Sequence, residues 1–144
     1  IAATKWQQTI QRIAPGFSIS NAGEGGVVQL SSFRNESAVQ THPKDRDTPC
    51  LITRRFDVPK NKPTHLKIRA SYHPHGDWKL RVRVGEKILS DQLVSYETVK
   101  AEWLNLDVDL SEFAGQNINL VIENGANNWN NEFGFWGSIK IVNK

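Results

Sequence analysis

The chain has 144 residues, with 18 Lys and Arg against 15 Asp and Glu for a formal net charge of +3, and 38% of it is hydrophobic. That length suits one domain able to bury a core without covalent staples, and no apolar run approaches the roughly 18 residues that a membrane-spanning helix requires. A single cysteine, Cys50, excludes an internal disulfide framework and a zinc site of the CxxC kind.

The charge is segregated. Lys44 to Arg69 is mainly basic, whereas every charge from Glu102 to Glu132 is acidic. A nucleic-acid binder would present an uninterrupted basic stripe, so the pattern predicts basic and acidic strands that lie near each other and compensate. Cys50 opens an apolar run and reads as a small buried hydrophobe. The chain begins at Ile1 and contains no Met. This is expected of a processed or excised part of a larger exported protein, active outside the cytoplasm.

In chain order the signal is strand throughout, and no stretch of ten or more residues has a convincing helical period. A short opening segment, Thr4 to Ile10, precedes Val27 to Leu30 and Cys50 to Phe56, with turn-rich stretches at Asn21 to Gly26 and Thr41 to Pro49. Four segments then alternate with period two, the mark of half-buried strands. Leu66, Ile68 and Ala70 share one face; so do Leu80, Val82 and Val84; so do Leu106, Val108 and Leu110; and so do Ile118, Leu120 and Ile122. Val84-Gly85-Glu86-Lys87 reads as a tight hairpin in which Gly85 takes the positive φ of a primed turn. Ser111 to Gly115 reads as one helical turn, capped by Ser111 and closed by Gly115. Eight or nine closely spaced strands predict an all-β fold, a two-sheet antiparallel β-sandwich spanning residues 1–144.

The most informative stretch is near the C-terminus. Asn127-Asn128-Trp129-Asn130-Asn131-Glu132 runs directly into the aromatic strand Phe133-Gly134-Phe135-Trp136. A buried loop of that composition would strand many amides, so it belongs at the surface. There Trp129 could cover the C–H face of a pyranose while Asn128, Asn130, Asn131 and Glu132 bond its hydroxyls. The competing reading is a polar connection whose Trp folds back as a lid on the core. Trp78, Trp103 and Trp136 sit at or within strands and are expected in the sandwich core.

Two other loops carry polar side chains suited to sugar contact: His42 with Asp45, Arg46 and Asp47, and His73 with His75 and Asp77. If they meet at one end of the sandwich they form a pocket in which Arg46 could bond a hydroxyl pair bidentately. A rigid loop held by Asp–Arg pairs and Asx bonds is the alternative. No organic cofactor is indicated. A structural calcium ion could be held by Glu24, backbone carbonyls and Glu132 or Glu123.

Trp103-Leu104-Asn105-Leu106-Asp107-Val108-Asp109-Leu110-Ser111-Glu112-Phe113-Ala114-Gly115 resembles the W-x-x-x-x-v-D-L-S-x-y-A-G segment of galactose-binding-like jelly rolls. Thr41-His42-Pro43, Pro49-Cys50-Leu51, Gly76-Asp77-Trp78 and Trp129-x-x-Glu132-x-x-x-Trp136 are similar to modules of secreted bacterial multidomain proteins. The resemblance spans roughly residues 25 to 142 and implies a jelly-roll carbohydrate-binding module, in some relatives with a structural calcium ion. Gly137-Ser138 stands where such modules often carry an acidic residue.

Catalysis is not expected. Asp107 and Asp109 lie about 7 Å apart along a strand, a spacing that suits glycosidase carboxylates, yet their alternation with Leu106, Val108 and Leu110 is an ordinary wet face, expected to meet Arg81, Arg83 or Lys67. No G-x-S-x-G or HExxH pattern occurs. The function expected is therefore a non-catalytic module that targets a parent protein to carbohydrate. The alternative is a docking domain in an exported complex, possibly cytochrome-containing, with Lys67, Arg69, Arg81 and Arg83 forming a basic face toward an acidic protein partner.

Overall fold

The computed structural model describes residues 2–143. Helix α1 (Ala2–Ile10) is followed by β1 (Ser18–Ser20), β2 (Val28–Phe33), β3 (Glu36–Thr41), β4 (Cys50–Asp57), β5 (Thr64–Tyr72), β6 (Asp77–Val84) and β7 (Lys87–Ser95). A one-turn helix α2 (Tyr96–Val99) then leads to β8 (Leu104–Asp109), a 3-10 turn at Ser111–Phe113, β9 (Asn117–Gly125) and β10 (Gly134–Asn143). The strands form two five-stranded antiparallel sheets, ordered β1-β4-β9-β6-β7 and β2-β3-β10-β5-β8. The expected sandwich is present. Leu66, Ile68, Ala70, Leu80, Val82, Leu120 and Ile122 all face the core between the sheets at 2% exposure or less. Cys50 lies among them, and burial pushes its thiol pKa up to about 12, so it packs as an apolar residue. No helix among the described residues is long and apolar enough to cross a membrane.

The opening segment departs from the strand reading. Ala and Gln favour helix, but an isolated helix this short is marginal in water, so α1 depends on docking. Ile10 is fully buried and Trp6 packs against the core. Gln7 and Gln11, one turn apart on the same helix face, grip the backbone of the β1 edge. Gln7 Nε2 donates to the Ile19 carbonyl at 2.6 Å and its Oε1 accepts from Ile19 N–H at 2.9 Å. Gln11 bonds the Phe17 carbonyl and Gly16 N–H at 2.6 and 2.8 Å. The two amides thus occupy an edge that would otherwise be open to another strand.

The charge split resolves as cross-strand pairs. Lys67 stands opposite Asp107, which also accepts from His65 Nδ1 at 2.6 Å. Arg81 pairs with Asp91 at 3.0 Å and Arg83 with Glu123 at 2.7 Å. Of the three partners expected for the Asp107 face the structure selects Lys67, joined by His65, and not Arg81 or Arg83, because β5 and β6 belong to different sheets. For the same reason Lys67 and Arg69 cannot share one basic docking face with Arg81 and Arg83, and Arg69 is further neutralised by Glu36.

Gly85 takes φ +55 at the β6–β7 hairpin, as read from the sequence. The turn after β8 differs: Ser111 does not cap it, and instead its own N–H is held by the Asp109 carboxylate at 2.8 Å. Trp78 and Trp136 meet edge-on in the core with ring centroids 5.0 Å apart. Trp103 does not join them. It lies on the outer face of the second sheet over Gly137, edge-on to Phe33, which stacks on Phe135 at 3.9 Å, with the Arg69 guanidinium 4.9 Å from the indole centre.

One buried polar chain crosses the core toward the loop end. Trp136 Nε1 donates to Thr41 Oγ1 at 2.8 Å, Thr41 Oγ1 donates to Asn124 Oδ1 at 2.8 Å, and Asn124 Nδ2 donates to the Glu132 carbonyl at 3.2 Å. Thr41→Val keeps the volume but leaves the Trp136 N–H and Asn124 Oδ1 without partners. A loss of about 1–3 kcal/mol per stranded group is expected from denaturant unfolding.

Candidate functional site

The three polar loops do converge at one end of the sandwich, and Glu132 builds the site from beneath. Its side chain is fully buried. Oε1 accepts from the backbone N–H groups of Asn127 and Asn128, the latter at 3.2 Å, and Oε2 accepts from Asn130 N–H at 3.0 Å. The Asn128 side-chain oxygen shares the Asn130 N–H at 3.0 Å. The loop therefore winds around a carboxylate that takes the place of the missing backbone acceptors. The arrangement also holds two residues in the left-handed region, Trp129 at φ +62 and Asn131 at φ +54. For a residue as large as Trp129 that conformation costs on the order of 1–3 kcal/mol, which the three N–H bonds offset.

The neighbouring loops dock against this turn. The Asp77 carboxylate accepts from the side-chain amides of Asn127 and Asn128 at 2.9 and 3.4 Å. Asn131 Nδ2 donates to the His75 carbonyl at 3.3 Å. Gly76 is required by this approach, since a Cβ there would lie 2.1 Å from the Asn131 carbonyl oxygen. On the other side His42 is 4% exposed, with its Nδ1 2.8 Å from the Pro43 carbonyl. Its ring lies 5.1 Å from Trp129 and 4.7 Å from Phe133, both edge-on. The Arg46 guanidinium is 5.7 Å from the Trp129 ring centre.

Several sequence expectations change as a result. Trp129 is half-buried, flanked by Arg46 and His42, so it is both part of the surface and a lid over His42. Glu132 and His42 are enclosed and support the loop from within; they do not reach a ligand, because burial leaves them no open edge. Asn128, Asn130, Arg46 and His75 remain exposed, whereas Asn131 and Asp77 are half-buried and engaged between loops. The Asx bond from Asp47 N–H to Asp45 at 2.9 Å shapes the Arg46 loop.

The calcium reading does not fit Glu132, whose oxygens already face three N–H dipoles. Glu123 is taken by Arg83, and Glu24 stands exposed on its turn. Among the described residues no three His, Cys, Asp or Glu side chains gather in a metal-binding group.

Two open cavities flank the loop. One, of about 600 Å³, is lined by Asp45, Arg46, Asp47, Thr48 and Trp129. The other, of about 370 Å³, lies between Pro74–Asp77, Asn128, Asn130 and the start of α2 at Ser95, Tyr96 and Glu97. Sequence reasoning does not single out α2. The available signal is Ser95-x-x-Thr98, which forms a capping box in which each side chain bonds the other residue's backbone N–H.

With this geometry the comparisons with known proteins can be read. No family model matches the chain, and no curated protein matches it. Among solved structures, a family 35 carbohydrate-binding module from Clostridium thermocellum superposes with TM-score 0.55 at 14% identity, covering 92% of this chain and 95% of that one. TmCBM61 in complex with β-1,4-galactotriose gives TM-score 0.53 at 14% identity over 89% and 88% of the two chains. The K3 cleaved adhesin domain of Lys-gingipain from Porphyromonas gingivalis W83 gives 0.58 at 11% identity over 90% and 93%. The chain therefore shares with these structures a two-sheet jelly-roll β-sandwich, the fold that the sequence resemblance implies.

The loop's dependence on Glu132 predicts a pH signature. Burial raises the Glu132 pKa above its ordinary 4.5, and the Asp77 carboxyl beside it raises it further, against the lowering pull of the Asn127 and Asn130 N–H groups. A carboxyl raised in the folded state contributes stability that is fully present below its unfolded pKa and fades as pH rises through the folded value. The carboxylates held low by partners, Glu36, Asp45, Asp107 and Asp109, lose their contribution only at more acid pH. As pH rises above the ordinary glutamate range, amide exchange at Asn127, Asn128 and Asn130, corrected for intrinsic rate, should report more frequent loop opening. Asp77→Asn should flatten that dependence.

Proposed function

We propose that this protein is a non-catalytic carbohydrate-binding module that holds glycans at the loop end of the sandwich and so brings a larger exported protein to them. The observation that carries this reading is the Asn-rich loop, wound rigidly around Glu132 with the Asn128 and Asn130 side chains exposed between two open cavities. Preordered amides beside an aromatic ring suit a ligand made of hydroxyls and C–H faces, because little ordering remains to be done on binding. The Trp129 indole and Arg46 serve the larger cavity, and Asn128 and Asn130 the smaller.

The shared fold adds support, since one of the structures above holds a galactotriose. A non-catalytic role fits the state of Asp107 and Asp109. Hydrogen bonds from His65 and Ser111 hold both carboxyls below their ordinary range, whereas a glycosidase acid needs a raised pKa. Single-site affinity should be weak, because most polar bonds replace bonds to water, and tethering within a parent protein supplies the avidity. A glycan array followed by affinity-gel retardation should show retention of the wild type, reduced at least about tenfold in Trp129→Ala or Asn130→Ala. Absence of retention on every glycan would end the carbohydrate reading.

A further inference from the structure

The smaller cavity contains features that the reading above does not use. At about 370 Å³ it falls within the usual size range of small-molecule sites, roughly 300–1,000 Å³. Tyr96 stands at its edge and is 71% exposed, the more open of the two exposed large hydrophobic side chains among the described residues. This exposure does not come from a loose chain. Tyr96 opens α2, fixed at one end by the reciprocal Ser95–Thr98 bonds and the Thr98 Oγ1 bond to the Leu93 carbonyl at 2.7 Å. Lys100 in the left-handed conformation fixes the other end. A rigidly mounted, solvent-facing aromatic ring beside two exposed amides has the form of a stacking platform.

The charge of the cavity is one-sided. Its lining carries the carboxylates of Asp77 and Glu97, with His75 and no Lys or Arg. Glu97 makes no ion pair with any described residue. Across the loop, the cavity at Trp129 has Arg46 between two aspartates. A ligand anion is therefore repelled in the smaller cavity, with no cation to compensate it.

We infer that this cavity is a sugar subsite in which the Tyr96 ring stacks on a pyranose bearing no carboxylate or sulfate, and in which Asp77 and Glu97 favour neutral or amino sugars over uronic acids. The inference rests on the carbohydrate-binding reading and adds a platform residue and a charge class to it. One exposed like-charge contact at about 4 Å, from Glu97, should weaken an anionic ligand by about fivefold.

The test uses the whole protein and three soluble oligosaccharide series of equal length, one of neutral hexose, one of hexuronate and one of glucosamine, titrated calorimetrically at low and high salt. The wild type should bind the neutral or amino series at least about fivefold better than the uronate series, with the gap narrowing in salt. Tyr96→Ala should lose at least about tenfold on every ligand that binds. Glu97→Gln should raise uronate affinity and lower amino-sugar affinity. Both substituted side chains are exposed, so unchanged melting temperatures establish that the fold is intact. Binding of uronate as tight as neutral sugar, or wild-type affinity in Tyr96→Ala while Trp129→Ala abolishes binding, overturns this subsite and leaves the carbohydrate reading standing. No binding to any series or to the array removes both.

Discussion

A carboxylate enclosed by its own loop governs the end of the molecule where ligands can approach. Glu132 receives N–H groups from Asn127, Asn128 and Asn130 while its backbone carbonyl is held by Asn124. Glu132 thus holds the irregular, amide-rich turn with its side chain and joins it through its backbone carbonyl to the Asn124–Thr41–Trp136 network. Without it the turn would have to find water for several donors and would lose the constraint that keeps Trp129 in a left-handed backbone conformation. The exposed amides of Asn128 and Asn130 are ordered because a residue that no ligand touches orders them. In the binding site proposed above, the surface groups would meet the ligand and the groups beneath fix their positions.

The remainder of the fold supports that arrangement. Two sheets with alternating core faces supply a stiff body, and the loops between β3 and β4, β5 and β6, and β9 and β10 emerge at the same end. Their contacts are close enough that Gly76 is required where two of them cross. At the β1 edge, Gln7 and Gln11 close the backbone of a three-residue strand. On the outer faces several charges pair across strands, among them Lys67 with Asp107, Arg69 with Glu36, Arg81 with Asp91 and Arg83 with Glu123.

Much of the fold is legible in the sequence because its rule is local. Period-two alternation in β5, β6, β8 and β9 reports which side chains face the core, and Gly85 reports the hairpin. The misreadings occur where partners come from far along the chain. α1 is too short to declare itself and is helical because Ile10, Gln7 and Gln11 find a sheet edge to dock on. Trp103 looks like core by its position before a strand, yet Gly137 and Phe33 receive it on the outside. Lys67 and Arg81 look like neighbours on one basic surface, but the strand order places them in different sheets.

The site divides in the same way. By itself the sequence determined a β-sandwich with one amide-rich, Trp-bearing loop, because composition and alternation act within a few residues of the backbone. Only the tertiary structure decided which of those residues face inward. Glu132 and His42 are as polar on paper as Asn130 and Arg46, but their partners lie on the loop's own backbone and on Trp129 and Phe133, and that enclosure removes them from the surface. Tyr96 gains its prominence because β7 delivers α2 beside the Asn-rich loop, a meeting of segments more than thirty residues apart in the chain. Which side chains are covered and which are open depends on where distant segments pack, and no local pattern records that.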